Sequence, residues 1–353
     1  MIEVPHNRLT FGDAECEAAL RTVRSGQWAQ GPRVEQLERV LAQMAGVGYA
    51  VCVGSGLAAL RLALGALHVG SEDRVLVPAY ACVALANAAL AWGAAPVPVD
   101  IEPERWTIDP AESRRQLKTW KPKAGIAVNT FGVPAAIERA EGLTWIEDCA
   151  HAFGAEVDGK ALGARAEIGV LSFYATKLIG GGEGGAVLTK SSSVAEFVKS
   201  ARDYEDQPAD PHRMNDKMSD LEASLVLAQL ERLPDMLAAR AALAERYLER
   251  LSEAARAGVF RLPPGGTQRI WYRFAVEILR LPAATVVNDL RPLGIHAAIP
   301  VTDWRTRSSS SSPVADRAYG SLVSLPLYPT LTEREQDAVI VAFIKLCEGY
   351  GRG

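Results

Sequence analysis

Tyr49-Ala-Val-Cys-Val-Gly-Ser-Gly-Leu-Ala-Ala-Leu60 runs from an apolar stretch through a glycine-serine-glycine turn into a helix-like pattern. The stretch YAVCV shows no polar alternation, as expected of a strand covered on both faces, and LAALRLALGAL beyond the glycines has helical character. Strand, turn and helix make the first half of a βαβ unit. The same punctuation extends in both directions. Upstream, residues 34–44 (VEQLERVLAQM) space their apolar side chains by three and four, which predicts a helix. Downstream, residues 74–77, 96–99, 125–128, 143–146 and 168–173 are short apolar runs bounded by Gly, Pro or Asp, with a helix-like segment at 81–92. The fold class that follows is α/β, with a mainly parallel central sheet flanked by helices.

Beyond about residue 190 the texture changes. Residues 203–217 lack periodicity and hold two prolines. Ser219-Asp-Leu-Glu222 then forms a capping box that opens a long amphipathic helix, broken at Pro234 and resumed to about residue 251. Segment 271–278 (WYRFAVEI) and helix-like stretches at 283–290 and 332–347 read as a smaller α+β unit. The expected division is a large α/β domain over 1–235 and a smaller α+β domain over 236–353. The serine run at 308–312 reads as a flexible low-complexity loop.

Composition narrows the class. A chain of 353 residues with 48% hydrophobic and 23% charged side chains suits a soluble protein of two domains. Its 38 basic and 42 acidic residues leave a net charge of -4, which offers no basic footprint for nucleic acid. No apolar run reaches the length of a membrane span, and the polar start MIEVPHNRLTFGDAE does not resemble a signal peptide. Five scattered cysteines (Cys16, Cys52, Cys82, Cys149 and Cys347) include no Cys-x-x-Cys pair. They read as reduced thiols of a cytoplasmic protein rather than disulfides or zinc ligands. The five histidines are equally dispersed, so no metal site is expected.

Four local features carry chemistry, and their order matters. Val53-Gly-Ser-Gly-Leu57 lies between strand and helix, where glycines admit an anion and the helix start offers N–H groups. The same residues also make an ordinary tight turn. Trp145-Ile-Glu-Asp-Cys-Ala-His151 ends a strand in Glu147 and Asp148, which are expected to face the place where open α/β sheets bind ligands. A carboxylate there favours the protonated form of a ring nitrogen. His151 reads either as part of that site or as a structural histidine. Leu171-Ser-Phe-Tyr-Ala-Thr-Lys177 runs a strand into Ser172 and Lys177. Most lysines are solvated surface charges, but one placed between a buried strand and a glycine cluster suits a Schiff-base nucleophile. Gly180-Gly-Gly-Glu-Gly-Gly185 contains G-x-G-x-x-G, yet it lies between two strand-like segments, so the dinucleotide reading fails. A turn that passes close to a cofactor fits better. Phosphate cradle, strand-end acid and strand-end lysine together suit a cofactor with a phosphate, a ring nitrogen and an aldehyde, namely pyridoxal phosphate.

These stretches, with Gly31-Pro-Arg-Val-Glu-Gln-Leu-Glu38, residues 78–87, residues 218–230 and Leu325-Pro-Leu-Tyr-Pro329, resemble the DegT/StrS-type aminotransferases that act on keto-sugars, usually nucleotide-linked. The resemblance covers nearly the whole chain. It implies a fold type I architecture and a homodimer with shared active sites, with residues 1–33 at the site entrance. It implies that Lys177 holds the cofactor and shuttles the proton, that Asp148 pairs with the ring nitrogen, and that His151 lies near the ring oxygen. By the same resemblance Gly54, Ser55, Gly56 and Leu57, with the Ser172 hydroxyl, hold the phosphate, and Asn215 reaches it from the neighbouring subunit. Cys82 stands where the family usually places an aromatic residue on the cofactor ring, and Leu57 where threonine is usual. Lys217 replaces a usual arginine, and Ile299-Pro-Val-Thr-Asp-Trp304 replaces a histidine-rich stretch. The implied activity is ping-pong transamination from an amino acid, commonly glutamate, through pyridoxamine phosphate to a keto-sugar. Two readings stand beside it: a cofactor-binding regulatory or sensory protein without turnover, and another fold type I reaction such as decarboxylation or aldol cleavage.

Overall fold

The computed structural model describes residues 2–351 apart from 206–207, 266–267 and 306–310. Residues 308–310 of the serine run thus lie outside the described residues. Helices α1 (Asp13–Ser25) and α2 (Pro32–Ala45) precede β1 (Tyr49–Val53). The chain then alternates through α3 (Gly56–Ala66), β2 (Arg74–Pro78), α4 (Ala84–Leu90), β3 (Ala95–Val99), α5 (Pro110–Trp120), β4 (Ala124–Val128) and β5 (Thr144–Asp148). A short hairpin of β6 (Glu156–Val157) and β7 (Lys160–Ala161) leads to β8 (Ile168–Ser172), β9 (Gly185–Thr189) and α6 (Ser192–Ala201). Seven strands form one sheet in the order β1-β9-β8-β5-β4-β2-β3, in which β9 alone runs against its neighbours.

Strand pleating explains why these runs look uniformly apolar. In β1, Val51 and Val53 join the core beneath α3 and α6, while Ala50 and Cys52 join the core beneath α2 and α7 (Asp220–Leu230). Both faces of the sheet are dry, so alternation disappears. The helix expected over 81–92 shortens to Ala84–Leu90, because residues 81–83 turn at the end of β2. The capping box forms as read: Ser219 Oγ accepts from the Glu222 N–H at 3.2 Å, and Glu222 Oε2 accepts from the Ser219 N–H at 2.9 Å. Helix α7 ends at Leu230, and α8 (Leu233–Ala255) restarts with Pro234 in its first turn, where the missing N–H costs no bond.

The second core surrounds an antiparallel sheet of β10 (Phe260–Arg261), β11 (Phe274–Ile278) and β12 (Leu322–Leu325). Helices α9 (Ala283–Leu290), α10 (Pro313–Ser321) and α11 (Glu333–Gly351) belong to this half, and Tyr247, Val286, Leu290 and Phe343 pack together there. Val4 joins the same core. Its N–H donates to the Gly294 carbonyl at 2.8 Å and its carbonyl accepts from the His296 N–H at 3.0 Å. The N-terminus therefore starts on the small sheet's side before α1 packs on α7. Among the described residues no helix is long and apolar enough to cross a membrane.

Glu147, expected to face the site beside Asp148, is turned to the opposite face by the strand pleat. It is fully buried there. Its carboxylate accepts from Arg165 Nε at 2.8 Å and Nη2 at 2.6 Å, from the Gly163 N–H at 2.8 Å and from Asn129 Nδ2 at 3.1 Å. A buried charge persists when every lone pair is met in this way. Replacing Arg165 by Met leaves that carboxylate uncompensated, and urea unfolding should record a loss of about 3–5 kcal/mol. Val341→Ala, at a side chain 59% exposed on α11, should move stability by no more than about 0.5 kcal/mol.

Candidate active site

The C-terminal ends of the parallel strands open into a cavity of about 840 Å³. This is where doubly wound sheets place their ligands, because only strand ends escape the dry faces. Ser55, Gly56 and Leu57 from the β1–α3 turn line it, with Cys82 after β2, Asp148 and His151 after β5, and Ser172 and Lys177 after β8. Two expected residues do not. The Gly54 N–H donates to the Asp216 carbonyl at 2.6 Å, so it is committed to the 203–217 segment rather than to a ligand. Asn215 is exposed and lies outside its own chain's cavity.

The β1–α3 turn is built to receive an anion. Ser55 caps α3, its Oγ accepting from the Ala58 N–H at 3.0 Å. Gly56 and Leu57 fall in the first helical turn, where N–H groups have no carbonyl four residues back. Across from them, a Cβ on Gly56 would meet Ser172 Cβ at 2.9 Å, so only glycine permits this approach. Helix dipole, first-turn N–H groups and the Ser172 hydroxyl therefore converge.

Asp148 lies at the end of β5 and is buried. Its Oδ1 accepts from the Ala150 N–H at 2.9 Å, and among the described residues no basic side chain forms an ion pair with it. Burial holds its carboxyl above the ordinary value, against the lowering effects of the Ala150 N–H and Lys177, while Glu147 adds to the rise. His151 is held neutral: burial pushes it well below the usual range, and the Lys177 and Arg273 charges push further. Its Nδ1 accepts from the Phe131 N–H at 3.4 Å, which leaves Nε2 as the protonated nitrogen. That N–H is aimed by a strained turn, with φ of 53° at Phe131 and 87° at Gly132. At Gly132 a side chain would place Cβ 1.9 Å from the Ile270 carbonyl oxygen.

Tyr272 and Arg273, on the approach to β11, also reach the cavity, although their segment reads in sequence only as part of the smaller domain. The Tyr272 ring stacks on His151 at 4.2 Å between centroids, and Lys177 Nζ lies 5.3 Å from its centre. Burial raises the phenol, but Lys177, Arg273, a Thr176 hydrogen bond and Arg240 outweigh it and hold the group below its ordinary value. The available signal was a tyrosine and an arginine opening the apolar strand WYRFAVEI; nothing local says which cavity that strand would meet. Glu183 lines the wall from the glycine turn between β8 and β9, which brings this turn close to the site.

Pyridoxal phosphate fits these groups. Asp148 is a buried carboxylate without a paired cation, as a protonated ring nitrogen requires, and the Gly56–Ser172 approach forms a cradle suited to phosphate. Lys177 brings a primary amine to the same cavity. The sequence model of the DegT/DnrJ/EryC1/StrS aminotransferase family matches residues 10–344. The dTDP-3-amino-3,4,6-trideoxy-alpha-D-glucose transaminase of Streptomyces venezuelae is 30% identical, covering 94% of this chain and 92% of its own. The erythromycin biosynthesis sensory transduction protein EryC1 of Saccharopolyspora erythraea is 32% identical over 92% of this chain and 93% of its own. The crystal structure of NtdA from Bacillus subtilis with bound cofactor PMP superposes with a TM-score of 0.87 at 26% identity, over 99% of this chain and 86% of that one. With the cavity at the strand ends and this match over nearly its whole length, the chain belongs to the DegT/DnrJ/EryC1/StrS family of pyridoxal-phosphate-dependent aminotransferases.

Proposed function

We propose that the protein transfers the amino group of an amino acid, glutamate in the first instance, to a nucleotide-linked keto-sugar in amino-sugar biosynthesis. The observation that carries this reading is the joint opening of Asp148 and Lys177 into one cavity roomy enough for cofactor and sugar ring together, at about 840 Å³. Bound pyridoxal phosphate supplies an electron sink for negative charge developing on the substrate carbon. Asp148 keeps the proton on the ring nitrogen, because an adjacent carboxylate favours the charged form. Lys177 Nζ would hold the cofactor, and its amine would carry the substrate proton. His151 and Tyr272 form a stacked pair that shields the site from water, and His151 Nε2 offers a hydrogen bond toward the ring oxygen. Gly56, Leu57 and Ser172 anchor the phosphate. Asn215 reaches the cradle of a second copy in a homodimer, a state supported by the exposed Phe11 and Trp28 side chains.

A sensory role without turnover is the second reading, favoured by the sensory-transduction designation of the EryC1 relative and by Leu57 and Cys82 departing from the usual family residues. Absorption spectroscopy separates the two. Purified protein with cofactor should show a visible band that bleaches on glutamate, with release of 2-oxoglutarate. Lys177→Ala should lack the band and lose about 10²–10⁴-fold in turnover. A wild-type band indifferent to every amino acid would transfer support to the sensory reading.

Asp148 gives a pH test. Its folded-state value is raised above the unfolded one, so the folded chain binds the proton more tightly. The stabilising effect is fully present below the unfolded value, about 3.9, and is lost as pH rises through the folded one. Cofactor-free Asp148→Asn should therefore melt higher than wild type near neutrality, with the gain fading in acid. With cofactor bound, the same substitution should slow turnover.

A further inference from the structure

His151 needs two things to present a donor at Nε2: a fixed ring plane, and a proton kept off Nδ1. The Tyr272 ring, stacked at 4.2 Å between centroids with 15° between the planes, supplies the first. Stacking is indifferent to which ring nitrogen carries the proton. That choice is made by the hydrogen bond at the other nitrogen, here the Phe131 N–H donating to Nδ1 at 3.4 Å. Phe131 aims this N–H from the left-handed region, at φ 53° and ψ 23°, where backbone crowds its Cβ. A bulky residue stays in that region only when its surroundings hold it there.

Residues 269–270, on the approach to β11, close over that turn. Arg269 Nη2 donates to the Phe131 carbonyl at 3.2 Å, and the Ile270 N–H donates to the Gly132 carbonyl at 3.1 Å. Arg269 is itself fixed: Nη1 donates to the Pro264 carbonyl at 3.2 Å, and Cζ lies 3.8 Å from the centre of the Trp271 ring. Its buried Nε has no partner, and among the described residues no carboxylate pairs with the guanidinium. Burial, and then Arg105, pushes the group down to about 10, so it keeps its charge at neutral pH. A cation buried without a counter-ion is costly, but a charged donor makes a stronger hydrogen bond to a carbonyl. Residues 269–272 thus act on His151 twice, Tyr272 through its ring and Arg269 through the Phe131 peptide. We propose that Arg269 is a positioning residue for His151: by holding the Phe131 carbonyl it keeps the Phe131 N–H on Nδ1 and the imidazole proton on Nε2. The use of that proton, a hydrogen bond toward the cofactor's ring oxygen, rests on the aminotransferase reading given above.

Nitrogen-15 NMR of histidine-labelled protein tests it, with and without cofactor, because ring-nitrogen shifts separate the two neutral tautomers. The chain has five histidines, and His151→Gln identifies the signals concerned. Wild type should favour the Nε2–H form at least about tenfold, and Arg269→Met should reduce that ratio about 3- to 10-fold. Arg269→Lys, which keeps a charged donor, should recover part of the loss. Arg246→Met controls for general loosening, since Arg246 ties α8 to Gln336 and Asp337 on α11 at 3.0 and 2.8 Å. It should lower the melting temperature without moving the ratio. If Arg269→Met does not fold, Arg269→Gln, which keeps a side-chain amide without the charge, should show a smaller shift. An unchanged ratio in Arg269→Met or Arg269→Gln, or an equal shift in Arg246→Met, overturns the proposal, as does a wild type that favours Nδ1–H. In the holoenzyme, Arg269→Met should also move the absorbance maximum of bound pyridoxal phosphate. A tautomer change without that movement supports the role of Arg269 and counts instead against placing His151 at the ring oxygen.

Discussion

Burial of the Asp148 carboxylate without a cationic partner is the constraint around which the site is organised. A charge removed from water is costly unless it is compensated, and the Ala150 N–H alone does not offset the burial. The site is thereby set up for a positive ligand atom at that position. The rest of the cavity wall holds the first-turn residues of α3, Gly56 and Leu57, and the amine of Lys177. Opposite charges held at separate points orient a molecule before any chemistry begins.

This arrangement depends on rigid surroundings. One residue before Asp148, the Glu147 carboxylate is clamped on the reverse face by Arg165, Asn129 and the Gly163 N–H, which secures the strand end against rotation. Asn129 Oδ1 in turn accepts from the Ala135 N–H and from Arg165 Nη2, at 2.8 and 3.1 Å, so the loop after β4 is fastened to the same network. That loop carries the left-handed Phe131 whose N–H meets His151. Strain at Phe131 and the buried ion pair are thus parts of one support beneath Asp148. On the other side of the cradle, Arg61 pairs with Asp216 and donates to the His212 carbonyl, which ties the 203–217 segment to α3.

The small sheet takes part in the site instead of serving only as a scaffold. Tyr272 and Arg273 project from the approach to β11 toward a cavity made by strands of the other sheet. His6 arrives from the N-terminal segment that pairs beside Ile295. His6 stands 171 residues before Lys177, and Tyr272 and Arg273 stand 95 and 96 residues after it, yet His6 meets Arg273 and Lys177 meets the Tyr272 ring.

By itself, the sequence determined the features that depend on local periodicity and near-neighbour chemistry. Dry strands between helices announced the parallel sheet, glycines announced the close turn at Gly56, and the Ser219–Glu222 box announced α7. Asp148, Ser172 and Lys177 could be placed at strand ends because a strand end is a local event. Tertiary structure alone decided what crosses between elements. The pleat sent Glu147 to the far face, although its neighbour faces the cavity. The Asp216 carbonyl took the Gly54 N–H, a contact made over 162 residues of sequence. Arg273 and its partner His6 came together beside the site only through the docking of a second sheet and of the N-terminal segment, and no periodicity within either encodes that meeting. Backbone propensity acts over a few residues, whereas the free energy of a buried charge depends on every atom around it, however distant in sequence.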